Sequence, residues 1–391
     1  MTVGFDSITA EVLQTGNRKK WAVPPGHIGA TVAEMDFGTA PPVRTALRDA
    51  VDRNHFGYST ADLFTEASRA CSTWLRSAYG WNVADGSIRM VPDVLGGFMQ
   101  VVEHYSKPGA QVILPTPGHK PFFKLPLSLG RRVVAVPMLA DGEGWKMDLE
   151  AIASCLEGEG GIVILCNPHN PIGKVYLKDE LVALSKVVEK HHARVLSDEV
   201  HAPLVFSGHR HVPYASISDI TAGHTVTITS AGKAWNISGL KCAQIIFSNK
   251  KDLDLWDSVC FMPEHNVGRL GLVATRAAYL EGGPWLGEVI AYCDANRKLL
   301  TSLLRGHAPC VGYREPQGTY LAWLDFRTSG LGDAPAKFLA EQAHVACEEG
   351  SQFGPEGTGF VRLNLAMPSA LLVEAMTRIG RVLAKPRNHT A

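Results

Sequence analysis

A lysine set among small residues, in the run Ser230-Ala231-Gly232-Lys233-Ala234, directly follows the apolar stretch TVTIT. An amine at the end of a buried strand is sterically open, and burial weakens its hold on a proton until it becomes a nucleophile toward carbonyl carbon. Alone, Lys233 reads as an exposed loop lysine, and only its partners elsewhere in the chain change that reading. In SDEVH, Asp198 puts a carboxylate at the end of another apolar run, with His201 following shortly after. Two Asn-Pro steps in CNPHNPIG, Asn167-Pro168 and Asn170-Pro171, force a non-helical turn, because proline steers the residue before it away from the helical region. That turn is compatible with a rigid loop and nothing more, or with a site that uses Asn170. In FVRLNLAMP, Arg362 taken alone reads as a partner for a surface acid.

These residues need a scaffold that brings strand ends together. From about Gln111 the chain alternates short apolar runs (QVILP, RVVAVP, GIVILC, ARVLS, TVTIT and QIIFS) with longer segments of helical pattern. Runs without in-out alternation fit strands covered on both faces, as in a mostly parallel sheet. Between GIVILC and ARVLS, the segment KDELVALSKVVEKHH places Leu181, Leu184, Val187 and Val188 on one side at helical spacing. The three pieces predict a βαβ unit whose right-handed crossover sets NPHNP and DEVH at the same sheet edge, where open α/β sheets bind ligands. Past Gly282-Gly283-Pro284, the runs TYLAWLDF and FVRLNLAM precede ALLVEAMTRIGRVL, in which Leu372, Met376, Ile379 and Leu383 recur at helical spacing. The fold expected is therefore α/β, with a mostly parallel central sheet in a large domain and a smaller α+β domain. An N-terminal arm that belongs partly to the small domain spans 1–45, the large domain 46–283 and the small domain 284–391. The arm is rich in Pro and Gly, and the first long helix begins after Pro42.

Composition narrows the partners. The 38 basic and 38 acidic side chains cancel, so no net field draws nucleic acid or an anionic membrane, and a small molecule is the default partner. The start lacks a signal-peptide pattern and no run is long enough to cross a bilayer, which predicts a soluble cytoplasmic protein. Eight cysteines without a C-x-x-C pair indicate neither a zinc cluster nor a redox dithiol; they read as buried free thiols in a reducing compartment. Asp198, Glu199, His201, His209 and His211 lie close in sequence, but their spacing matches no established metal-ligand pattern. The histidines of GHRH read as surface residues, and no metal is expected.

Taken in order, the segments VPDVLGGF (91–98), TPGHKPFF (116–123), CNPHNPIG, SDEVH, SAGKAWNISGLK (230–241) and FVRLNLAMP resemble the aminotransferase class I/II superfamily, the fold type I enzymes that use pyridoxal 5′-phosphate (PLP). The resemblance implies PLP held as a Schiff base by Lys233. It gives Asp198 the protonated pyridine nitrogen, Asn170 the phenolate oxygen with His201 beside it, and His119 the place of an aromatic stacked on the ring. Ser230, Lys241 and the backbone amides of Val94 and Leu95 at a helix N-terminus would hold the phosphate, and Arg362 the substrate α-carboxylate. Asn170-Pro171 is expected to be a cis bond. Within the superfamily, VAEMDFGTAPPV (32–43) and HFGYST (55–60) are similar to the C–S lyases of the MalY/PatB type, the cystathionine β-lyase-like proteins. In the superfamily the tyrosine matching Tyr58 reaches into a partner's site and contacts phosphate, which implies a homodimer with shared active sites; a plain core or surface tyrosine is the alternative.

The resemblance extends from about 32 to 368 and implies β-elimination from a sulfur-substituted L-amino acid, cystathionine or a cysteine S-conjugate, giving a thiol, pyruvate and ammonia. Transamination shares the opening steps, so an aminotransferase stays open, as does a regulatory or binding protein retaining the fold. Several positions depart from the usual pattern: Glu34 for Asp, Asp93, Gly96 and Gly97 in the phosphate turn, Gly232 and Trp235 for Ser and Phe, and His119-Lys120 where two aromatics are common. The extra cation at Lys120 predicts a preference for substrates with a distal carboxylate.

Overall fold

The computed structural model describes residues 4–141, 144–158 and 161–384. Its main sheet contains β1 (Ile88–Val91), β2 (Gln111–Thr116), β3 (Arg132–Pro137), β4 (Gly161–Cys166), β5 (Arg194–Asp198), β6 (Thr225–Thr229) and β7 (Ala243–Phe247). Across the sheet the order is β1-β7-β6-β5-β4-β2-β3. Neighbours from β6 to β3 pair in parallel, whereas β7 runs antiparallel to both β6 and β1. Each apolar run picked out from the sequence is a strand of this sheet. The central strands β4, β5 and β6 are buried along nearly their whole length, which is why they carry no in-out alternation. RVVAVP differs: β3 lies at the sheet edge, and of its residues only Val136 is buried, so this run is not covered on both faces.

Helices cover the sheet. The first long one, α1 (Pro41–Asp52), starts at Pro41 rather than after Pro42, because proline suits the first helical positions, where the missing N–H has no partner to lose. It packs with α2 (Ala61–Tyr79) against α5 (Arg269–Glu281). Helix α3 (Val94–Tyr105) begins immediately after β1, with Asp93 as its N-cap. Between β4 and β5 runs α4 (Lys178–Lys190), whose Leu181, Leu184 and Val188 are fully buried and whose Val187 packs at the margin of the same cluster. Each such side chain contributes about 1.5–3 kcal/mol by leaving water.

A second, antiparallel sheet follows α6 (Gly283–His307). It consists of β8 (Gly312–Tyr313), β9 (Leu321–Asp325), β10 (Glu348–Glu349) and β11 (Phe360–Asn364), in the order β8-β9-β11-β10. Leu324 of β9 and Leu363 of β11 share an apolar cluster with Leu300 of α6 and with Leu372, Met376 and Ile379 of α7 (Ser369–Leu383).

The N-terminal segment is stitched to this second sheet. Ile28–Gly29 pairs in parallel with Val345–Ala346. Asn364 Nδ2 donates to the carbonyls of Val32 (2.7 Å) and Glu34 (2.8 Å), and the Asp36 amide donates to the Ala366 carbonyl (3.1 Å). Beneath the segment, Lys20 and Asp36 form a fully buried ion pair at 2.9 Å, closed by Trp21 Nε1 donating to Asp36 and Lys20 Nζ donating to the Ala366 carbonyl.

Candidate active site

At the C-terminal ends of β4, β5 and β6, the turns predicted to share one sheet edge open into a single cavity of about 250 Å³. Lys233 enters it from a single helical turn, Ala231–Ala234, that follows β6. Its Nζ donates to the backbone carbonyl of Ala33 at 2.8 Å. Desolvation, reinforced by the charge of Arg362, lowers this amine to about 8. The turn is tight: a Cβ at Gly232 would lie 2.8 Å from Ser238 Oγ, so the glycine at this departure from the usual pattern answers to space.

Asp198 lines the same cavity at the end of β5. One of its oxygens accepts from the Val200 amide at 3.1 Å. Burial pushes its carboxyl up to about 7; the neighbouring Glu199 charge adds to this, while the Val200 bond and Lys233 oppose it. His201, on the same turn, is buried with its Nδ1 lacking a partner, and burial holds it well below its ordinary value. Asn170 reaches the cavity from the β4 turn, where Asn167-Pro168 and Asn170-Pro171 are both cis, as is Thr116-Pro117 at the end of β2. His119 is lowered to about 3 by burial and by the charges of Arg362 and Lys233, so its ring is neutral. Asn170 Nδ2 donates to its Nδ1 at 3.4 Å, which leaves the ring proton on Nε2.

The far end of the cavity is built for an anion. Val94 and Leu95 open α3 there, and Ser230 and Lys241 also line it. Asp93 already occupies part of this cradle: its Oδ1 accepts from the Gly96 amide (2.7 Å) and its Oδ2 pairs with Lys241 Nζ (2.8 Å). Ser230 Oγ donates to the Cys242 carbonyl and accepts from the Gly232 amide.

Three predicted residues stand off the wall. Arg362 sits one hydrogen bond behind it, with Nη1 donating to Asn170 Oδ1 at 3.0 Å and Nη2 to the Thr31 carbonyl at 3.3 Å. Its Nε has no partner, Glu348 lies 3.9 Å from Nη2, and burial lowers the group to about 10. Tyr58 is 86 % exposed, away from this chain's own cavity, with its ring 5.7 Å from that of His265. Lys120 is exposed and donates to Gln352 Oε1 at 2.9 Å.

The sequence matches the family described as aminotransferase class I and II over residues 28–379. The chain belongs to that family. Among class I and II relatives, the cystathionine beta-lyase of Corynebacterium glutamicum is 36% identical, the match covering 95% of this chain and 98% of the relative. Cystalysin from Treponema denticola, whose crystal structure contains PLP, superposes with a TM-score of 0.91 at 27% identity, covering 98% of this chain and 99% of that one. A PLP-bound C–S lyase from Staphylococcus hominis gives a TM-score of 0.89 at 27% identity, with 97% and 99% covered.

The residues present fit PLP on their own chemistry. A desolvated amine suits its aldehyde, a carboxylate raised by desolvation suits its pyridine nitrogen, and the unpaired His201 Nδ1 and Asn170 line the same cavity. Helix-end amides with Ser230 and Lys241 suit its phosphate.

Sequence reasoning missed two features. Ala33 gives no side-chain signal, because only its backbone oxygen meets Lys233. His211 was expected at the surface with His209; instead it is 3 % exposed and its Nε2 donates to Glu199 Oε2 at 3.0 Å, while His209 is exposed as expected. The chain returns His211 to Glu199, for which no other charged partner lies in contact among the described residues. The cysteines also divide: Cys71, Cys166, Cys242 and Cys293 are buried, Cys155, Cys260 and Cys347 are half-buried, and Cys310 is exposed, all as free thiols. Among the described residues no group of three or more His, Cys, Asp or Glu is placed to hold a metal ion.

Proposed function

We propose that this chain is a PLP-dependent C–S β-lyase that acts on a sulfur-substituted L-amino acid, cystathionine or a cysteine S-conjugate, and releases a thiol, pyruvate and ammonia. The observation that carries this reading is the convergence of Lys233, Asp198 and the Asn170–Arg362 pair at one sheet edge in a chain whose relative at 36% identity is a cystathionine beta-lyase. Bound PLP supplies an aldehyde that joins amines and a pyridinium ring that accepts the electron pair of the substrate α-carbon. The chain's own residues do the rest. Lys233 Nζ, neutral in a useful fraction near pH 8, would hold the aldehyde and, when free, would take the α-proton. Asp198 would pair with the ring nitrogen and favour its protonated form. Arg362, aimed by Asn170 Oδ1, holds the α-carboxylate so that the Cα–H bond faces Lys233. Loss of that proton drives cleavage of Cβ–S, and the sulfur departs as thiolate. His119, a neutral ring, would pack against the bound ring, and Ser230, Lys241 and the Val94 and Leu95 amides would hold the phosphate.

Purified protein incubated with cystathionine tests the reading. Pyruvate formed without any 2-oxoacid acceptor is the expected result; turnover only with an acceptor indicates an aminotransferase, and no turnover in either case favours a binding role. Lys233→Ala should lose both the visible absorbance of lysine-bound PLP and the elimination activity.

The assembly we propose is a homodimer sharing its active sites. Tyr58, Phe56, Phe261 and Met262 are apolar groups exposed by more than half, and Arg269 Nη1 braces the Tyr58 carbonyl, an arrangement that suits insertion into a second subunit. The free thiols suit a reducing cytoplasm. No helix among the described residues is long and apolar enough to cross a membrane. The division into an arm (1–45), a large domain (46–283) and a small domain (284–391) also remains our proposal, supported by the separate apolar cluster around the second sheet.

A further inference from the structure

The turn after β5 carries two adjacent acids with opposite surroundings. Asp198 lines the cavity, whereas Glu199 is buried behind it and is bonded at every polar atom. Glu199 Oε1 accepts from Ser197 Oγ (2.8 Å) and from the Tyr214 amide (3.0 Å), and Oε2 accepts from His211 Nε2 (3.0 Å). Its backbone amide donates to the Ile228 carbonyl, and its own carbonyl accepts from Thr229 Oγ1 and from the Ala202 amide. One residue thus ties the end of β5 to β6, to its own turn and to the returning loop at His211. A charge buried this deeply costs several kcal/mol unless donors surround it, and here three donors do; a neutral amide, with one acceptor oxygen, could not accept from all three.

We propose that Glu199 is a positioning residue for Asp198: the Glu199–His211 pair fixes the turn that aims the Asp198 carboxylate into the cavity, and sets a second carboxylate beside it. The inference rests on the assignment of Asp198 to the ring nitrogen of PLP. A carboxylate that gives up its proton less readily is the stronger acceptor for a ring N–H, so Glu199 strengthens the hold of Asp198 on PLP without touching it. The titratable groups facing Asp198 are Lys233 from the turn after β6, Cys166 from the end of β4, and Glu199. Those facing Glu199 are His211 and Tyr79 from the end of α2, whose ring lies 5.1 Å from that of His211. Of these, Glu199 is the neighbour whose charge raises Asp198, and Lys233 lowers it.

The test uses the full chain, stripped of PLP, with Asp198 followed by the carboxylic-acid infrared band that Asp198→Asn removes. Glu199→Gln is expected to move the Asp198 midpoint downward by about one unit, the effect of removing one nearby like charge; an unmoved midpoint in a folded variant overturns the proposal. A second pair of variants decides the matter if Glu199→Gln does not fold. With PLP as the probe, His211→Leu, which removes the donor, should weaken affinity by about tenfold or more, as expected for losing one hydrogen bond to a buried charge. His211→Gln, which keeps an N–H in reach, should restore affinity close to that of the parent. Equal affinity in all three proteins, or equal loss in both variants, overturns the role of His211. Failure of the unaltered chain to bind PLP would instead strike the proposed function, and leaves the midpoint comparison to judge Glu199 by itself.

Discussion

Lys233 Nζ and the backbone oxygen of Ala33 are 2.8 Å apart, so the reactive amine rests directly on the N-terminal segment. With desolvation lowering that amine to about 8 from an ordinary value of 10.5, its neutral form gains population well below the range of a surface lysine. The rate at which stripped protein takes up PLP should rise with pH and level off above about 8. A rate still climbing toward pH 10 would show an amine in contact with bulk water.

Arg362 is held by Asn170 from behind the cavity wall, and the α-carboxylate it is proposed to bind is common to every candidate substrate. Arg362→Ala should therefore lower kcat/KM for cystathionine and for a small S-alkyl cysteine alike. Loss of one partner of a buried charge pair costs about 2–5 kcal/mol, which corresponds to roughly thirtyfold or more. Steady-state kinetics on the two substrates measures it, and a loss confined to one of them contradicts the assignment.

Lys120 should act on one substrate class only. It bonds to the amide oxygen of Gln352, a neutral partner, and Gln352 adjoins Phe353, over whose ring the Arg362 guanidinium lies at 4.8 Å. This places a cation near the substrate end of the site. Lys120→Ala is expected to cost more in kcat/KM for an acidic thioether than for a neutral one, by about threefold to tenfold for a partly exposed charge pair. Equal losses would remove the idea.

The buried Lys20–Asp36 pair sets a stability prediction. Lys20→Met strands the Asp36 carboxylate with Trp21 Nε1 as its remaining side-chain donor, and breaking one side of a buried pair costs about 3–5 kcal/mol. Denaturant unfolding should show that loss, and Lys20→Met combined with Asp36→Leu should recover a large part of it. If the single variant unfolds at the parental denaturant concentration, the pair is not holding the segment.

What the sequence disclosed depended on how locally each feature is encoded. β4, β5 and β6 were legible because burial on both faces leaves an unbroken apolar run, whereas edge strand β3 has the same look with little burial, since composition does not report position in a sheet. Lys233, Asp198 and Asn170 follow strands, but their roles were found through the resemblance of the segments that carry them. The support beneath them was not. Ala33 contributes a backbone atom, which no residue type advertises, and the Glu199–His211 pair forms only when a loop folds back under the sheet. GHRH looks like surface, and for His209 it is; the next histidine is captured by a buried acid. Arg362 was recognised as a residue, but its setback behind Asn170 is a matter of tertiary packing.

The stitching of the N-terminal segment has a consequence for biosynthesis. Ala33, the support of Lys233, is held by Asn364 and Ala366 through its neighbours Val32, Glu34 and Asp36. On the ribosome, the support for Lys233 is therefore fixed only once the strand carrying Asn364 has been made, and capture of vitamin B6 by a complete pocket comes after that strand.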